Sequence, residues 1–382
     1  MSLNEEYTKY TYRVLSLCLI IFVAIMSANW LIDPYGVWLD PRIQGFNNYM
    51  ILSGHERLHK MIQVSKRERI EVLFLGSSTV YYALNPETMF HLTGKVSYNA
   101  GIPSAHLAEM KELLQQSILF HPELEEVILG LNWFMFFPSN RGMEKGFPKG
   151  QVGFNFPVGQ RAATILFSAD ALQDSISTIK GSIRGRDNVM DFDGKLNSSV
   201  LKAAHRHVRN FKMFSQDTTG NLRFFRKHIA FDAPMMEEYK SIVAICKENN
   251  IKLRVYINPV HASFVEGIYA CGADTYFEDW KRRLATIYPV WDFSRHSFVT
   301  DEPFSLSRKY WRNSQHPMLP TGDLILKKLT GSSFPEEENE FGVLLTEKNV
   351  GAVLQKEHNI HLTWEKDNPE IVKRVKEIVD NH

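Results

Sequence analysis

The chain has 382 residues, of which 44% are hydrophobic and 23% are charged. This composition supports a sizeable hydrophobic core and excludes a chain that is disordered along most of its length. The 44 basic and 43 acidic residues almost cancel, so the chain lacks the excess positive charge that drives general binding to nucleic acid.

The first predicted element is an uncharged apolar stretch at residues 14–32. As a helix it is long enough to cross a hydrocarbon core of about 30 Å, and it exceeds the roughly 7–15 apolar residues of a cleaved signal peptide. We therefore predict a transmembrane anchor. Lys9 and Arg13 precede the stretch, whereas Asp33 and Asp40 follow it. This charge bias predicts a single-pass protein of the inner (cytoplasmic) membrane, with a cytoplasmic N-terminus and a periplasmic or otherwise extracytoplasmic domain.

Short β-rich runs alternate with helical patterns from residue 69 onward. This alternation is typical of an α/β fold with a mostly parallel sheet that is covered on both faces. The first half of this pattern predicts a strand at Val72–Leu75, followed by a short helix capped by Asn85. A helix capped by Ser104 comes next and ends before His121 and Pro122, and a second strand follows at Glu126–Leu131.

The alternation is interrupted at residues 133–230, where we predict an insertion or lid. It resumes with a helix at 235–248, a strand at 253–258, a helix at 275–288, a strand at 290–293 and a helix at 321–329. The predicted domains are therefore a cytoplasmic N-terminus at 1–13, the anchor at 14–32, a membrane-proximal linker at 33–68, the α/β domain at 69–330 with its insertion, and a C-terminal extension at 331–382 with a strand-like run and a last amphipathic helix near 369–379.

The spacing of cysteine and histidine predicts no metal site, and we expect no cofactor. Cys18 lies in the anchor, and Cys246 and Cys271 either pair in an oxidising compartment or stay free thiols. The sequence leaves both alternatives open. His205 and His207 lie in a basic run that has no carboxylate or cysteine spaced to complete a metal site, which favours a solvated face.

Polar and small residues follow the predicted strands, where ligands sit in open α/β sheets. Ser78 follows the first strand, Gly101 precedes the helix capped by Ser104, and Asn132 follows the second strand. His316 lies just before the last helix of the domain. A hydroxyl group, a glycine N–H, a side-chain amide and an imidazole are together the groups needed for acyl transfer to or from oxygen.

These short motifs, in this order across about residues 72–329, resemble those of the SGNH (GDSL-like) hydrolase superfamily. The similar branch contains membrane-anchored extracytoplasmic proteins of alginate and cell-wall polysaccharide O-acetylation. The first motif matches Gly76, Ser77 and Ser78, with Ser77 in the position of the family's aspartate. The second motif's glycine matches Gly101. The third motif, Gly-x-Asn, matches residues 130–132, and the last, Asp-x-x-His, matches residues 313–316.

The resemblance implies a flavodoxin-like three-layer sandwich in which Ser78 is the nucleophile and His316 is the base. The residues support these roles independently, because a serine needs a base and an imidazole titrates near neutrality. The backbone N–H groups of Ser78 and Gly101 and the side-chain amide of Asn132 form the predicted oxyanion hole, and a glycine lets the backbone approach the acyl group closely.

The motif departs from the family at Asn313, which replaces the aspartate that orients the histidine. An asparagine orients an imidazole through its carbonyl oxygen but adds no negative charge. Asp292 or Asp323 is an alternative orienting carboxylate, and a Ser-His dyad without a third member is a further alternative. The sequence does not decide among them.

Two further side chains are candidate substrate contacts. Trp133 begins an aromatic run that continues with Phe134, Phe136 and Phe137, and such a run forms either a wall on which sugars stack or part of the core. His261 follows a predicted strand and either lines the cleft or lies in an ordinary loop.

The resemblance implies a serine-dependent O-acetyltransferase or carbohydrate esterase that acts on O-acyl groups, in particular acetyl groups, of an envelope or secreted polysaccharide. It also implies a multi-span membrane O-acyltransferase as a partner. A catalytically weak or inactive membrane-tethered subunit, whose cleft binds a glycan or a partner protein, is the alternative, and a soluble secreted esterase is a third.

Overall fold

A computed structural model describes residues 3–38, 42–140, 142–143, 165–200, 208–215, 233–332 and 340–380. The chain divides into two compact units. The first comprises Met1–Ser65 and Pro148–Met190, and the second comprises Lys66–Phe147 and Asp191–His382.

The described α-helices are α1 Leu3–Ile32, α2 Glu56–Lys66, α3 Ser78–Ala83, α4 Pro86–Thr93, α5 Leu107–Phe120, α6 Ala169–Ile183, α7 Phe211–Phe214, α8 Ala233–Glu248, α9 Ala262–Ala270, α10 Asp274–Ile287, α11 Leu319–Thr330, α12 Val350–Asp367 and α13 Pro369–Asp380. The described strands are β1 Val72–Leu75, β2 Ser97–Asn99, β3 Glu126–Leu131, β4 Lys252–Ile257, β5 Val290–Asp292 and β6 Val343–Leu345.

Helix α1 is long and apolar enough to cross a membrane, as judged by its length and composition. Its apolar side chains face outwards, since Leu15, Ile20 and Phe22 are 58%, 64% and 48% exposed. Lipid covers apolar surface of this kind favourably, whereas water does not. The helix is consistent with the predicted single-pass anchor, while its orientation and its compartment stay predictions.

The last turns of α1 are held by polar contacts within the first unit. The buried Asn29 side chain donates to the carbonyl oxygens of Leu166 and Ser168 at 2.9 and 3.2 Å and accepts a hydrogen bond from Ser175 Oγ at 3.0 Å. The Asp33 carboxylate accepts hydrogen bonds from the N–H groups of Val37 and Trp38. Residues 33–65, within the predicted linker, therefore belong to a compact unit together with α6.

The second unit is built around a six-stranded sheet in the order β2-β1-β3-β4-β5-β6. The first five strands are parallel, and β6 is antiparallel to β5. The predicted α/β fold with a mostly parallel sheet is thus confirmed. The predicted strands at β1 and β3 have the observed bounds, and the strand-like run of the C-terminal extension forms β6.

The start of α5 differs from the prediction. Ser104 has a φ of 54°, in the left-handed region, and the helix begins three residues later at Leu107. The N–H of His106 donates to the buried Glu109 carboxylate at 3.1 Å, which gives the chain a better helix start there.

The cysteine alternatives are also decided. No disulfide joins Cys246 and Cys271, and burial raises the pKa of the Cys246 thiol to about 12. The basic run with His205 and His207 lies outside the described residues, as does most of the predicted insertion before residue 165.

The core on one face of the sheet brings two functional segments together. Alternate strand residues, among them Phe74, Ile128 and Tyr256, pack in one cluster with Leu324 and Ile325 of α11. Helix α11 also touches α3 so closely that a Cβ atom on Gly322 would lie 1.7 Å from the carbonyl oxygen of Ala83. Only glycine fits at this crossing.

This crossing predicts that Gly322→Ala lowers the free energy of unfolding. The new methyl group would overlap backbone atoms and force α11 away from α3, at a cost of about 1–3 kcal/mol, even though alanine favours the helix. Denaturant unfolding of the full chain in detergent measures the change.

Gly351→Ala is the matched control. Gly351 is also helical, and its nearest neighbour would be Arg282 Nη1 at 3.5 Å, so the substitution is expected to be neutral or to stabilise by up to about 1 kcal/mol. Equal stability of the two variants would contradict the close crossing at Gly322.

Candidate active site

Ser78 is presented at the edge of the sheet where the parallel strands end. Strand β1 ends at Leu75, and after two residues the chain turns into α3, whose first residue is Ser78. Ser77 is buried and caps this helix, with its Oγ accepting the Thr79 N–H at 3.4 Å. Ser78 itself is only half-buried, so a substrate can reach its hydroxyl.

The turn at residues 313–316 is organised by one side chain. Asn313 Oδ1 accepts the backbone N–H groups of Gln315 and His316 at 3.1 and 2.7 Å. Asparagine favours such a turn because its short side chain reaches its own backbone two and three residues ahead. The N–H of Arg312 donates to the His316 carbonyl oxygen at 2.9 Å and closes the turn.

Ser78, His316 and Asn313 form one chain of hydrogen bonds. Ser78 Oγ lies 2.9 Å from His316 Nε2, and His316 Nδ1 lies 3.0 Å from Asn313 Oδ1. Since the Asn313 atom also accepts two backbone N–H groups, it is the amide oxygen, and His316 Nδ1 must carry the proton. His316 Nε2 therefore has the free lone pair that a general base needs to accept the Ser78 proton.

The Asn132 side chain has an orientation that its neighbours determine. Asn258 Nδ2 donates to the carbonyl oxygen of Leu131 at 3.2 Å and to Asn132 at 3.1 Å, so the Asn132 atom is Oδ1. The same oxygen accepts hydrogen bonds from Ser77 Oγ at 2.8 Å and Thr79 Oγ1 at 3.0 Å. With Oδ1 held by three donors, the Asn132 Nδ2 group is left to donate elsewhere, as an oxyanion donor must.

Gly101 does not have the free N–H that the sequence predicts. Its N–H donates to Asn99 Oδ1 at 2.9 Å. Asn99 is fully buried, and its Nδ2 donates to the carbonyl oxygens of Val80 and Leu84. The glycine is explained by packing, since a Cβ atom there would lie 2.7 Å from the backbone nitrogen of Tyr81.

The two alternative carboxylates have other partners. Asp292 is buried and forms an ion pair with Lys281 at 2.7 Å. Asp323 accepts a hydrogen bond from Thr88 Oγ1 at 2.6 Å, and burial raises the pKa of its carboxyl group. Neither carboxylate hydrogen-bonds to His316, whose described orienting partner is Asn313.

A narrow cleft of about 20 Å³, roughly the space of one water molecule, lies beside the site and is lined by Asn132, Trp133, Phe134 and Gln315 among other residues. Trp133 is 6% exposed and packs edge-on against Phe137 at 5.2 Å. Phe136 and Phe137 are buried in the core. The aromatic run is therefore mostly core, and Trp133 and Phe134 are its two members that line the cleft.

His261 does not line this cleft. It is 2% exposed, its Nδ1 accepts the Ser263 N–H at 3.1 Å as the cap of α9, and its Nε2 lies 2.8 Å from the Glu302 carbonyl oxygen. Both ring nitrogens are thus used inside the protein, and His261 is a structural residue rather than a substrate contact.

The sequence prediction assigned no role to three residues that support the site. Asn258 orients Asn132, Asn99 holds Gly101, and the ring of Tyr82 lies 5.0 Å from the ring of His316. Asn258 directly follows β4, and the same strand-end rule that selected Asn132 would have found it. Nothing in the local sequence marks Tyr82.

Comparison with known proteins does not assign the chain to a family. No family model matches the chain, and no curated protein is significantly similar to it in sequence.

The burial of His261 predicts a pH dependence of stability. Burial lowers the pKa of His261 from 6.5 to about 4, so between these values the unfolded chain takes up a proton that the folded protein excludes. Protonation of His261 does not affect the free energy of unfolding above about pH 6.5. As the pH falls toward 4, it lowers this free energy by up to about 3 kcal/mol. Denaturant unfolding of the full chain at several pH values measures this loss.

His261→Asn is the informative variant, because asparagine also caps a helix but does not titrate. It is expected to be less stable than the wild type at pH 7, with a shallower decline between pH 6.5 and pH 4. Parallel pH profiles for the two proteins would show that His261 does not cause the decline.

Proposed function

We propose that the protein transfers O-acyl groups, in particular acetyl groups, through an acyl-serine intermediate on Ser78. The observation that carries this proposal is the hydrogen-bonded chain from Ser78 Oγ to His316 Nε2 and from His316 Nδ1 to Asn313 Oδ1, at 2.9 and 3.0 Å. It gives the nucleophile a base in the correct tautomer, within the distance that proton transfer requires.

The mechanism has two steps. Ser78 Oγ attacks the acyl carbonyl carbon while its proton passes to His316 Nε2, and His316 then gives that proton to the departing oxygen of the donor ester. In the second step a sugar hydroxyl or water loses its proton to His316 and attacks the acyl-serine. The acylated sugar or the free acid leaves, and the proton returns to Ser78 Oγ.

The carbonyl oxygen becomes negatively charged in both steps. The N–H of Ser78, in the first turn of α3, and Nδ2 of Asn132 are the donors that we assign to this oxyanion. The Gly101 N–H is bonded to Asn99, so this hole has two donors rather than the three that the sequence predicts. At about 10²–10³ in rate per donor, the loss of one donor is a large reduction.

The sheet supports a flavodoxin-like, SGNH-type fold for the second unit. The order of its parallel strands, 2-1-3-4-5, is that of flavodoxin-like doubly wound sheets. We propose a single-pass protein anchored by α1, with an extracytoplasmic domain that acts on an envelope or secreted polysaccharide. A multi-span membrane O-acyltransferase is the proposed partner, as the SGNH resemblance implies.

The first test is Ser78→Ala. The purified full chain in detergent is expected to hydrolyse a chromogenic acetyl ester. The variant is expected to be reduced to the background rate, because it lacks the hydroxyl that lies 2.9 Å from His316 Nε2. Release of the chromophore measures turnover.

Labelling with a serine-reactive fluorophosphonate, followed by peptide mass spectrometry, gives an independent readout. The label is expected on Ser78 in the wild type. The exposed Ser199, whose hydroxyl hydrogen-bonds to Asn197 Oδ1, gives the control variant Ser199→Ala. Equal turnover by wild type and Ser78→Ala would contradict the acyl-serine mechanism.

The second test is Asn313→Asp. A carboxylate accepts the same hydrogen bonds as Asn313 Oδ1 and adds the negative charge that stabilises the His316 imidazolium, so ester turnover is expected to rise at least about 10-fold near neutral pH. Asp323→Asn is the matched control and is expected to leave turnover unchanged. A loss of turnover in Asp323→Asn would instead identify Asp323 as the orienting group.

A second function is favoured by two observations. The orienting residue is uncharged, and the Gly101 N–H is already bonded, so the site is weaker than a complete Ser-His-Asp site. The alternative is a membrane-tethered subunit whose cleft binds a glycan or a partner protein. A full chain that binds polysaccharide but neither hydrolyses esters nor labels at Ser78 would support this alternative.

A further inference from the structure

A cluster of acidic and imidazole groups lies in the second unit, outside the proposed acyl-transfer site. Glu266 belongs to α9, and His361 and Glu365 lie one turn apart on the same face of α12. One side-chain ligand atom from each of the three residues lies within 4.8 Å of the others, and His361 Nε2 is 3.3 Å from Glu266 Oε2.

The carboxylate of Glu266 is buried, and no hydrogen bond from a described residue reaches it. Its side chain has no exposed surface, and its nearest described cation-forming group is His361, whose Nε2 lies 3.3 Å away. Among the described residues, no lysine or arginine forms an ion pair with Glu266 or Glu365. A buried carboxylate beside a second carboxylate is costly unless a positive charge lies between them.

The hydrogen bonds of two histidines determine which nitrogen faces Glu266. His296 Nδ1 lies 2.8 Å from the Asp301 carboxylate, so it carries the proton and donates it there. His296 Nε2 is then an acceptor, and at 2.9 Å it takes the hydrogen bond of His361 Nδ1. In the neutral form of His361, with its proton on Nδ1, a lone pair on Nε2 points toward the Glu266 carboxylate.

An imidazole nitrogen and two carboxylates that converge in this way are the arrangement of a metal site. We infer that Glu266, His361 and Glu365 bind one divalent transition-metal ion, for which Zn²⁺ is the reference. The mixed nitrogen and oxygen ligands suit such an ion, and the bond from His361 Nδ1 to His296 is the support that metal-bound histidines commonly have.

The geometry needs little adjustment. Ligand atoms about 2.0–2.2 Å from an ion lie at most about 4.4 Å from one another, so the group has to close by a few tenths of an ångström. The site would fasten α12 of the C-terminal region to α9, whose N-terminus His261 caps. Its role is therefore structural, and it is independent of the proposed acyl transfer.

The test is metal binding by the tag-free full chain in detergent after EDTA treatment. Co²⁺ is the spectroscopic probe, and Zn²⁺ is titrated by calorimetry. We expect one equivalent to bind, visible d–d absorption that Zn²⁺ removes, and a higher melting temperature with Zn²⁺. Glu266→Gln and His361→Gln are expected to weaken binding at least about 100-fold, because each removes a ligand.

His358→Gln is the matched control. His358 lies on the same helix, beside Tyr269 and Glu278, and is not a ligand in this group. The affinity of the His358→Gln variant for Zn²⁺ is expected to equal that of the wild type. If Glu266→Gln or His361→Gln does not fold, Glu365→Gln replaces it, because Glu365 is only half-buried, and the Zn²⁺-dependent rise in melting temperature is expected to shrink in this variant.

Two results would overturn the inference. The first is the absence of stoichiometric Zn²⁺ and Co²⁺ binding by the wild-type chain, which would mean that a shared proton rather than a metal holds the cluster together. The second is unchanged affinity in the Glu266 or Glu365 variant, which would locate the bound ion elsewhere.

Discussion

The parallel alignment of β1, β3 and β4 is the constraint on which the candidate site depends. In this register Leu75 lies opposite Leu129, and Leu131 lies opposite Ile257. The strands therefore end at one edge of the sheet, and the residues that follow them meet there. The hydrogen bonds of Ser77 and Asn258 to Asn132 are the direct consequence, since all three side chains leave the sheet at this edge.

The opposite side of the site comes from a turn rather than from the sheet. Asn313 holds the turn through its own backbone contacts and at the same time orients His316. One side chain thus serves folding and chemistry together. An aspartate would make the same turn with an added charge, so the turn does not require an asparagine. The neutral residue lowers the stabilisation of an imidazolium without disturbing the geometry.

The buried polar groups of the two sites differ in their hydrogen-bond partners. Around Ser78, the buried polar side chains of Asn99 and Asn132 have partners that fix their orientation, as a preorganised site requires. Around Glu266, the buried carboxylate faces His361 Nε2 and receives no hydrogen bond from a described residue. The first arrangement is complete within the chain, whereas the second is complete only with an added positive charge.

The sequence by itself determined the α/β class, the bounds of β1 and β3 and the apolar span of α1, because these follow from local periodicity. It paired Ser78 with His316 through the resemblance of its motifs to those of SGNH hydrolases. Only the tertiary structure decided that the Gly101 N–H is bonded to Asn99, that His261 caps a helix, and that Asp292 pairs with Lys281. It also joined Glu266 to His361 across almost a hundred residues of chain. These contacts join segments that are distant in the sequence. Tertiary packing decides which hydrogen-bond partners meet at such separations, and a local sequence pattern does not reveal that packing.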